Sequence, residues 1–235
     1  MNLAGIIASS RGPVAAGAPP VLQAQGALAV NGFGSGDTTA TLPTHAADDV
    51  LVASFLSINN GTATTDATCT TAGWTLIERF QRTSGSIILF DVSLWWKRAT
   101  SDAEANPTFA FEAGWNTGNN TVRSARAYVI RGCATTGNPW DDTAIVGYAT
   151  TDGALSALTV SGSNRLAIHF SAGTGETDNP TATGWTAGTG VASGTGYDSS
   201  AQTLRQDNVS SSTAGTTTSM ASTGEYAYMG VAFKP

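Results

Sequence analysis

His45 and His169 are the only imidazoles in the chain, and Cys69 and Cys133 the only thiols. A Ser-His-Asp triad needs a histidine held beside an activated nucleophile. Neither a Gly-x-Ser-x-Gly elbow nor a His-Glu-x-x-His run occurs. His169 follows Leu166 and Ile168 and precedes Phe170, so alternation points it away from the core, and His45 follows Pro43 in a turn. Both read as surface or turn residues. The carboxylates cluster as Asp48-Asp49, Asp141-Asp142 and Asp178-Asn179. Calcium needs six or more converging oxygens, and no Asp-x-Asp-x-Asp-Gly loop supplies them. Such pairs in loops read as turn chemistry, with Asp and Asn bonding their own backbone. A two-carboxylate glycosidase is the rival reading of the same residues. The glycine-rich stretches Gly32–Gly36 and Gly188–Gly190 open no helix, so they read as hairpin loops and not as phosphate cradles. Two cysteines are too few for a structural zinc site or a disulfide framework. Free thiols are the preferred reading, with a Cys69–Cys133 bridge left open. No catalytic residue, metal ligand or cofactor is expected.

The elements that must position these groups read as strands. Only 12% of the 235 residues are charged, about half the usual globular share of ~25%. That composition excludes a coiled coil or charged helical bundle, and it lacks the high charge of a disordered chain. Eleven basic against 17 acidic residues give a net charge of −6. No basic stripe suits nucleic acid, and no apolar run approaches the ~18 residues of a membrane span. The amino terminus has no basic residue before Arg11 and only a short apolar stretch, so it does not read as an export signal.

Residues 1–25 carry Pro13, Pro19 and Pro20 and read as an extended arm. Its apolar side chains, Leu3, Ile6, Ile7 and Val14 among them, are expected to bind a partner and to order on assembly. Residues 26–235 are expected to form an all-β domain without convincing helical periodicity.

An internal repeat organises that domain. Leu42–Asp49 precedes the strand Val50–Phe55, and Leu158–Asn164 precedes Arg165–Phe170. Gly73-Trp74-Thr75 is matched by Gly184-Trp185-Thr186, Val92–Arg98 by Ala201–Gln206, and Ser124–Ile130 by Glu225–Phe233. The offset shrinks from about 116 to about 100 residues while the order of features holds. The pseudo-repeats span about 40–131 and 155–235. Each supplies about four strands, and a four-stranded sheet cannot cover its own apolar face. The expected fold is therefore a single antiparallel β-sandwich closed from two halves. The two Gly-Trp turns are expected to cap an end of its core.

Ser86–Arg98 is the longest clean alternation. Ile88, Phe90, Val92, Leu94 and Trp96 share one face, while Asp91, Ser93, Trp95 and Lys97 share the other. Trp96 then belongs to the core. Trp95, set among polar neighbours, is expected to meet a partner subunit, a glycan or a covering loop.

Several motifs carry a family resemblance. They are Leu42-Pro43-Thr44-His45, Gly73-Trp74-Thr75, Trp96-Lys97-Arg98-Ala99-Thr100, Arg131-Gly132, Asn138-Pro139-Trp140-Asp141 and Phe233-Lys234-Pro235. In these the chain resembles bacteriophage virion structural proteins of the tail or head-decoration kind, over residues 26–235. The resemblance implies a jelly-roll-like sandwich without catalytic residues. It further implies a place on the virion, assembled in the host cytoplasm. The expected partners are the chain's own copies, as a homo-oligomer such as a trimer, and other capsid or tail proteins. The arm would anchor the protein to the particle. A carbohydrate-binding, host-attachment module is the alternative, with a host-surface glycan as ligand.

Overall fold

The computed structural model describes residues 17–32, 36–58, 65–110, 122–149, 154–174, 180–193, 199–219 and 225–235. They form an all-β, antiparallel structure with no helix among the described residues. The first half of the chain supplies β1 (Val21–Gln25), β2 (Ala29–Gly32), β3 (Thr38–Thr39), β4 (Val50–Ile58) and β5 (Thr68–Cys69). It continues with β6 (Thr75–Ser84), β7 (Ile87–Arg98), β8 (Thr108–Ala110) and β9 (Val122–Arg131). The second half supplies β10 (Trp140–Ala149), β11 (Ala154–Leu155), β12 (Arg165–Gly173), β13 (Thr181–Ala182) and β14 (Thr186–Ala187). Then follow β15 (Val191–Ser193), β16 (Ser199–Val209), β17 (Thr216–Ser219) and β18 (Tyr226–Phe233).

Each half weaves one large and one small sheet in the same chain order. In the first half β1-β9-β4-β7-β6 form the large sheet, with β2 also on β9, and β3-β8-β5 form the small one. In the second half β10-β18-β12-β16-β14 form the large sheet, with β15 also on β16, and β11-β17-β13 form the small one. Each half is thus richer than the four strands expected, because each folds a small sheet back over its large one. The turns repeat as well. Gly73 and Gly184 take φ of 85° and 82° at the two Gly-Trp turns, a region that glycine enters without steric cost. Asp48 and Asn164, which precede β4 and β12, both enter the left-handed region at φ 69° and 60°. Asp and Asn tolerate that region best among residues with a side chain.

Three apolar layers result. The first lies between the two large sheets and draws Val50, Val52 and Leu56 of β4 and Phe90, Val92 and Leu94 of β7 against Leu166, Ile168 and Phe170 of β12 and Met229, Val231 and Phe233 of β18. The second lies between the first large sheet and its small sheet, around Phe55, Trp74, Trp95 and Phe109. The third lies between the second large sheet and its small sheet, around Trp185, Leu204, Tyr226 and Tyr228. The tryptophans of the Gly-Trp turns therefore belong to the outer layers and do not cap the central one. The layers also explain why β4 and β18 read as nearly unbroken apolar runs, since both of their faces are covered.

The large sheets stack face to face, with β10 against β6, β12 against β4 and β16 against β9. The expected arm also ends earlier than residue 25. Val21–Gln25 is β1, paired with β9, and the Asn164 amide donates to the Gly17 carbonyl at 3.0 Å.

Matched positions show how packing is shared out. Val52 pairs with Trp96 and Ile168 with Arg205, so Ala53 and His169 are equivalent. By the same registers Trp95 matches Leu204 and Ala127 matches Gly230. The second half places an imidazole where the first has a methyl group, and a Cβ on Gly230 would lie 2.6 Å from His169 Cε1. Gly230→Ala should therefore cost about 1–3 kcal/mol by overpacking. Adding His169→Ala, which recreates the pair of the first half, should recover part of that loss. A denaturant double-mutant cycle checks the coupling. Deleting residues 226–235 removes β18, which pairs on both sides with β10 and β12. That truncation should yield no soluble folded chain, as read by gel filtration and circular dichroism.

Candidate functional site

The residues expected to contact partners separate into two groups. Leu3, Ile6, Ile7 and Val14 lie outside the described residues. Trp95 faces away from the central layer, as its alternation requires, but its own chain covers it. It is 9% exposed, its ring centroid is 6.2 Å from that of Phe109, and its Nε1 donates to Ser93 Oγ at 2.9 Å. The small sheet supplies the loop cover, which withdraws Trp95 from contact with a partner. His169 corrects an expectation, because it is not at the surface, while His45 keeps its turn but is buried there. His45 is buried in its turn, with Nδ1 2.8 Å from the Pro43 carbonyl and Nε2 accepting from the Glu104 amide at 3.3 Å. His169 is fully buried, its ring 4.8 Å from that of Trp185.

The acidic pairs hold turns. Asp49 accepts from Arg131 Nε and Nη2 at 2.9 and 2.7 Å and from the Ala46 amide at 2.8 Å. Burial alone would raise its pKa, yet Arg131 and the amide hold it below the usual carboxylate range. Asp141 is lowered in the same way, against its burial, by Arg165 at 2.6 Å and the Ser161 amide. Asp142 accepts from the Thr159 amide at 2.7 Å. Asp178 and Asn179 lie outside the described residues. Among the described residues no three His, Cys, Asp or Glu side chains converge as metal ligands would. Cys69 and Cys133 are free thiols, and burial pushes Cys133 up to about 12.

Sequence reasoning missed a polar interior that ties the halves together. Arg126 is 1% exposed. Its Nε donates to the Gly26 carbonyl at 2.8 Å, and its Nη1 donates across to the Thr189 and Ala201 carbonyls at 2.6 and 3.0 Å. Its guanidinium also lies 5.5 Å from the Tyr128 ring centroid. Further links cross between the halves, with Arg82 Nη2 at 2.7 and 2.9 Å from the two Glu225 oxygens and Thr143 Oγ1 donating to Glu78 Oε1 at 2.6 Å. Asp91 is fully buried beside Arg79, 3.3 Å away, and accepts from Gln81 Nε2 at 3.3 Å.

One segment of β16 remains accessible and chemically varied. Arg205 and Asp207 face the same way, with Nε 3.4 Å from Oδ2 and side-chain exposures of 31% and 47%. Both line two concavities. One, of 510 Å³, runs between the Gly184–Thr186 turn and residues 209–214, and is rich in hydroxyls. The other, of 200 Å³, has Pro19, Pro20, Val21 and Leu22 as an apolar wall. Among the described residues, Arg205 and Asp207 are the only ionisable side chains lining either one. The arrangement offers a donor fork, a carboxylate, an amide and hydroxyls to a polar ligand, but no nucleophile held beside a base.

Two tests follow. Arg126→Lys keeps the charge but loses the fork that reaches three divergent carbonyls. It should lower stability by about 2 kcal/mol in urea unfolding. The second test concerns pH. Burial raises Asp91 to about 6, only partly offset by Arg79 and Gln81. Its contribution to stability is full below its unfolded value near 4 and is lost as pH rises through 6. Burial lowers His169 to about 4, only partly offset by the Ser156 backbone. Its contribution is full above its unfolded value of 6.5 and is lost as pH falls through 4. The two slopes oppose each other, so wild-type stability should change little between pH 4.5 and 6.5. Asp91→Asn should leave a chain that loses about 2 kcal/mol on acidification over that window, and His169→Ala one that gains on it. Melting temperatures across the window decide the signs.

The chain matches no protein-family model, no curated protein and no solved structure.

Proposed function

We propose that the chain is a non-enzymatic structural protein of a tailed-phage particle, decorating the capsid or forming part of a tail fibre or spike. In this reading the two halves close on each other as a single jelly-roll-like sandwich that acts as one block. The segment ahead of Val21 anchors that block to the particle, and copies of the chain associate with one another. The observation that carries the reading is where the buried charge goes. Arg126, Arg79, Asp91 and Asp49 are tied into the framework or across the halves. Such an interior favours a fixed shape that presents surfaces to neighbours. The motifs in which the sequence reads as resembling virion proteins fit the same reading, since they form turns and core packing.

A second reading is glycan binding at the host surface. The hydroxyl-rich groove beside Arg205 and Asp207 favours it and gives it a place other than Trp95.

Mass spectrometry of gradient-purified particles of a phage encoding this chain tests the first reading. The chain should be present in a fixed multiple of copies, and cryo-electron microscopy of the same particles should show a four-layered β body on the capsid or tail. Its absence from purified particles would contradict the proposal.

A further inference from the structure

We infer that the Arg205–Asp207 segment of β16 forms a binding site for a neutral oligosaccharide, built where the symmetry between the halves is broken. The inference rests on the second reading above. Registers fix the comparison. Thr75 pairs with Trp96 where Thr186 pairs with Arg205. Leu22 pairs with Ile130, itself paired with Val50, where Trp140 pairs with Phe233, itself paired with Leu166. Arg205 therefore stands in the position of Trp96, and Leu22 in that of Trp140. In one corner of the molecule Trp96 and Trp140 meet edge to face at 4.9 Å. In the reciprocal corner Leu22 and Arg205 face each other across the 200 Å³ cleft.

The larger concavity is broken in the same way. Lys97 and Gln206 are equivalent. In the first half Lys97 Nζ reaches Glu104 at 2.5 Å, and Glu104 Oε1 also accepts from the Thr100 amide and hydroxyl at 2.5 and 2.7 Å. Strand and loop are tied together there, and the Glu104 side chain is 6% exposed. In the second half Gln206 Nε2 bonds, among the described residues, only back to the Gly184 carbonyl at 2.9 Å. The loop at residues 210–212 carries three exposed serines instead of a carboxylate. The fold can fill both places and does so once. The open pair is a departure of the second half, not a by-product of the architecture.

The lining chooses the ligand class. One guanidinium and one carboxylate sum to no net charge, so neither a polyanion nor a polycation is favoured. The Arg205 Nε–Asp207 Oδ2 approach is long, at 3.4 Å, and both side chains stay partly open to the groove, 31% and 47% exposed. A carboxylate accepts from adjacent sugar hydroxyls, a guanidinium donates to them, and the serine hydroxyls do both. The wall of Pro19, Pro20, Val21 and Leu22 gives the C–H face of a pyranose an apolar surface. Val21 is 44% exposed, one of two large apolar side chains left open among the described residues. The 510 Å³ groove lies within the ~300–1,000 Å³ range of small-ligand sites.

The test probes the labelled full chain against immobilised neutral, acidic and amino oligosaccharides built on glucose, galactose, mannose and N-acetylhexosamine. Any neutral binder is then titrated by calorimetry. Asp207→Ala removes the acceptor, and Ser211→Trp blocks the groove without removing a framework contact. Each should weaken binding about tenfold or more while leaving the melting temperature within a few degrees of wild type. Leu76→Ser, at the exposed residue of β6, should leave affinity unchanged. Neutral binding that survives both groove variants would overturn the site while keeping the glycan reading. Binding confined to acidic sugars would overturn the ligand class. No binding by the wild-type chain anywhere on the panel would overturn both the site and the glycan reading.

Discussion

The structure depends on an apolar seam between two large sheets, neither of which can exist with that face in water. The first half alone presents Val50, Val52, Leu56, Phe90, Val92 and Leu94 to the seam. Leaving those side chains exposed would cost on the order of 10 kcal/mol, comparable to the whole stability of a typical domain. The ion pairs at its rim are minor by comparison, since a half-exposed pair such as Arg82–Glu225 contributes on the order of 1 kcal/mol. Closure is therefore hydrophobic. The polar links fix how the halves are set against each other. Arg126 does this most directly, because its carbonyl partners come from both halves and coincide in only one arrangement.

The seam also explains the outer layers. Strands β4, β9, β12 and β18 sit centrally in their sheets, and the residues that turn away from the seam are apolar too: Leu51, Ala53 and Phe55 on β4, and Ala125, Ala127 and Val129 on β9. Each half covers that second face with its small sheet, and one tryptophan from the Gly-Trp turn joins each cover. The two halves balance volume differently. Trp95 with two alanines fills the first outer layer, whereas His169, Leu204 and Gly230 fill the matching positions of the second. A neutral imidazole against Trp185 is the result, and its burial costs stability when acid charges it.

Much of this was legible in the sequence, and the limits have physical causes. The repeat could be read because turns with special backbone geometry, such as Gly73 and Gly184, need particular residues. The two faces of β7 could be read because side chains alternate. Alternation tells which side a residue faces but not what lies over that side. Alternation therefore leaves Trp95 open to a partner, a glycan or a covering loop alike, and it points His169 away from the core without showing that a second layer covers it. Their covers are strands of two to four residues, such as Thr38–Thr39, Thr108–Ala110 and Thr216–Ser219, too short to carry a period. The groove at Arg205 was hidden for another reason. Its character appears only when β7 and β16 are compared position by position in register, and Arg205 alone reads as an ordinary surface charge.

Native-state hydrogen exchange tests the shared seam most directly. If the halves stand or fall together, the slowest amides of β4 and β9 in one half and of β12 and β18 in the other should exchange through a single opening. They should then share one free energy and one denaturant dependence. Two distinct free energies, with one half's central strands opening while the other's stay protected, would contradict the account.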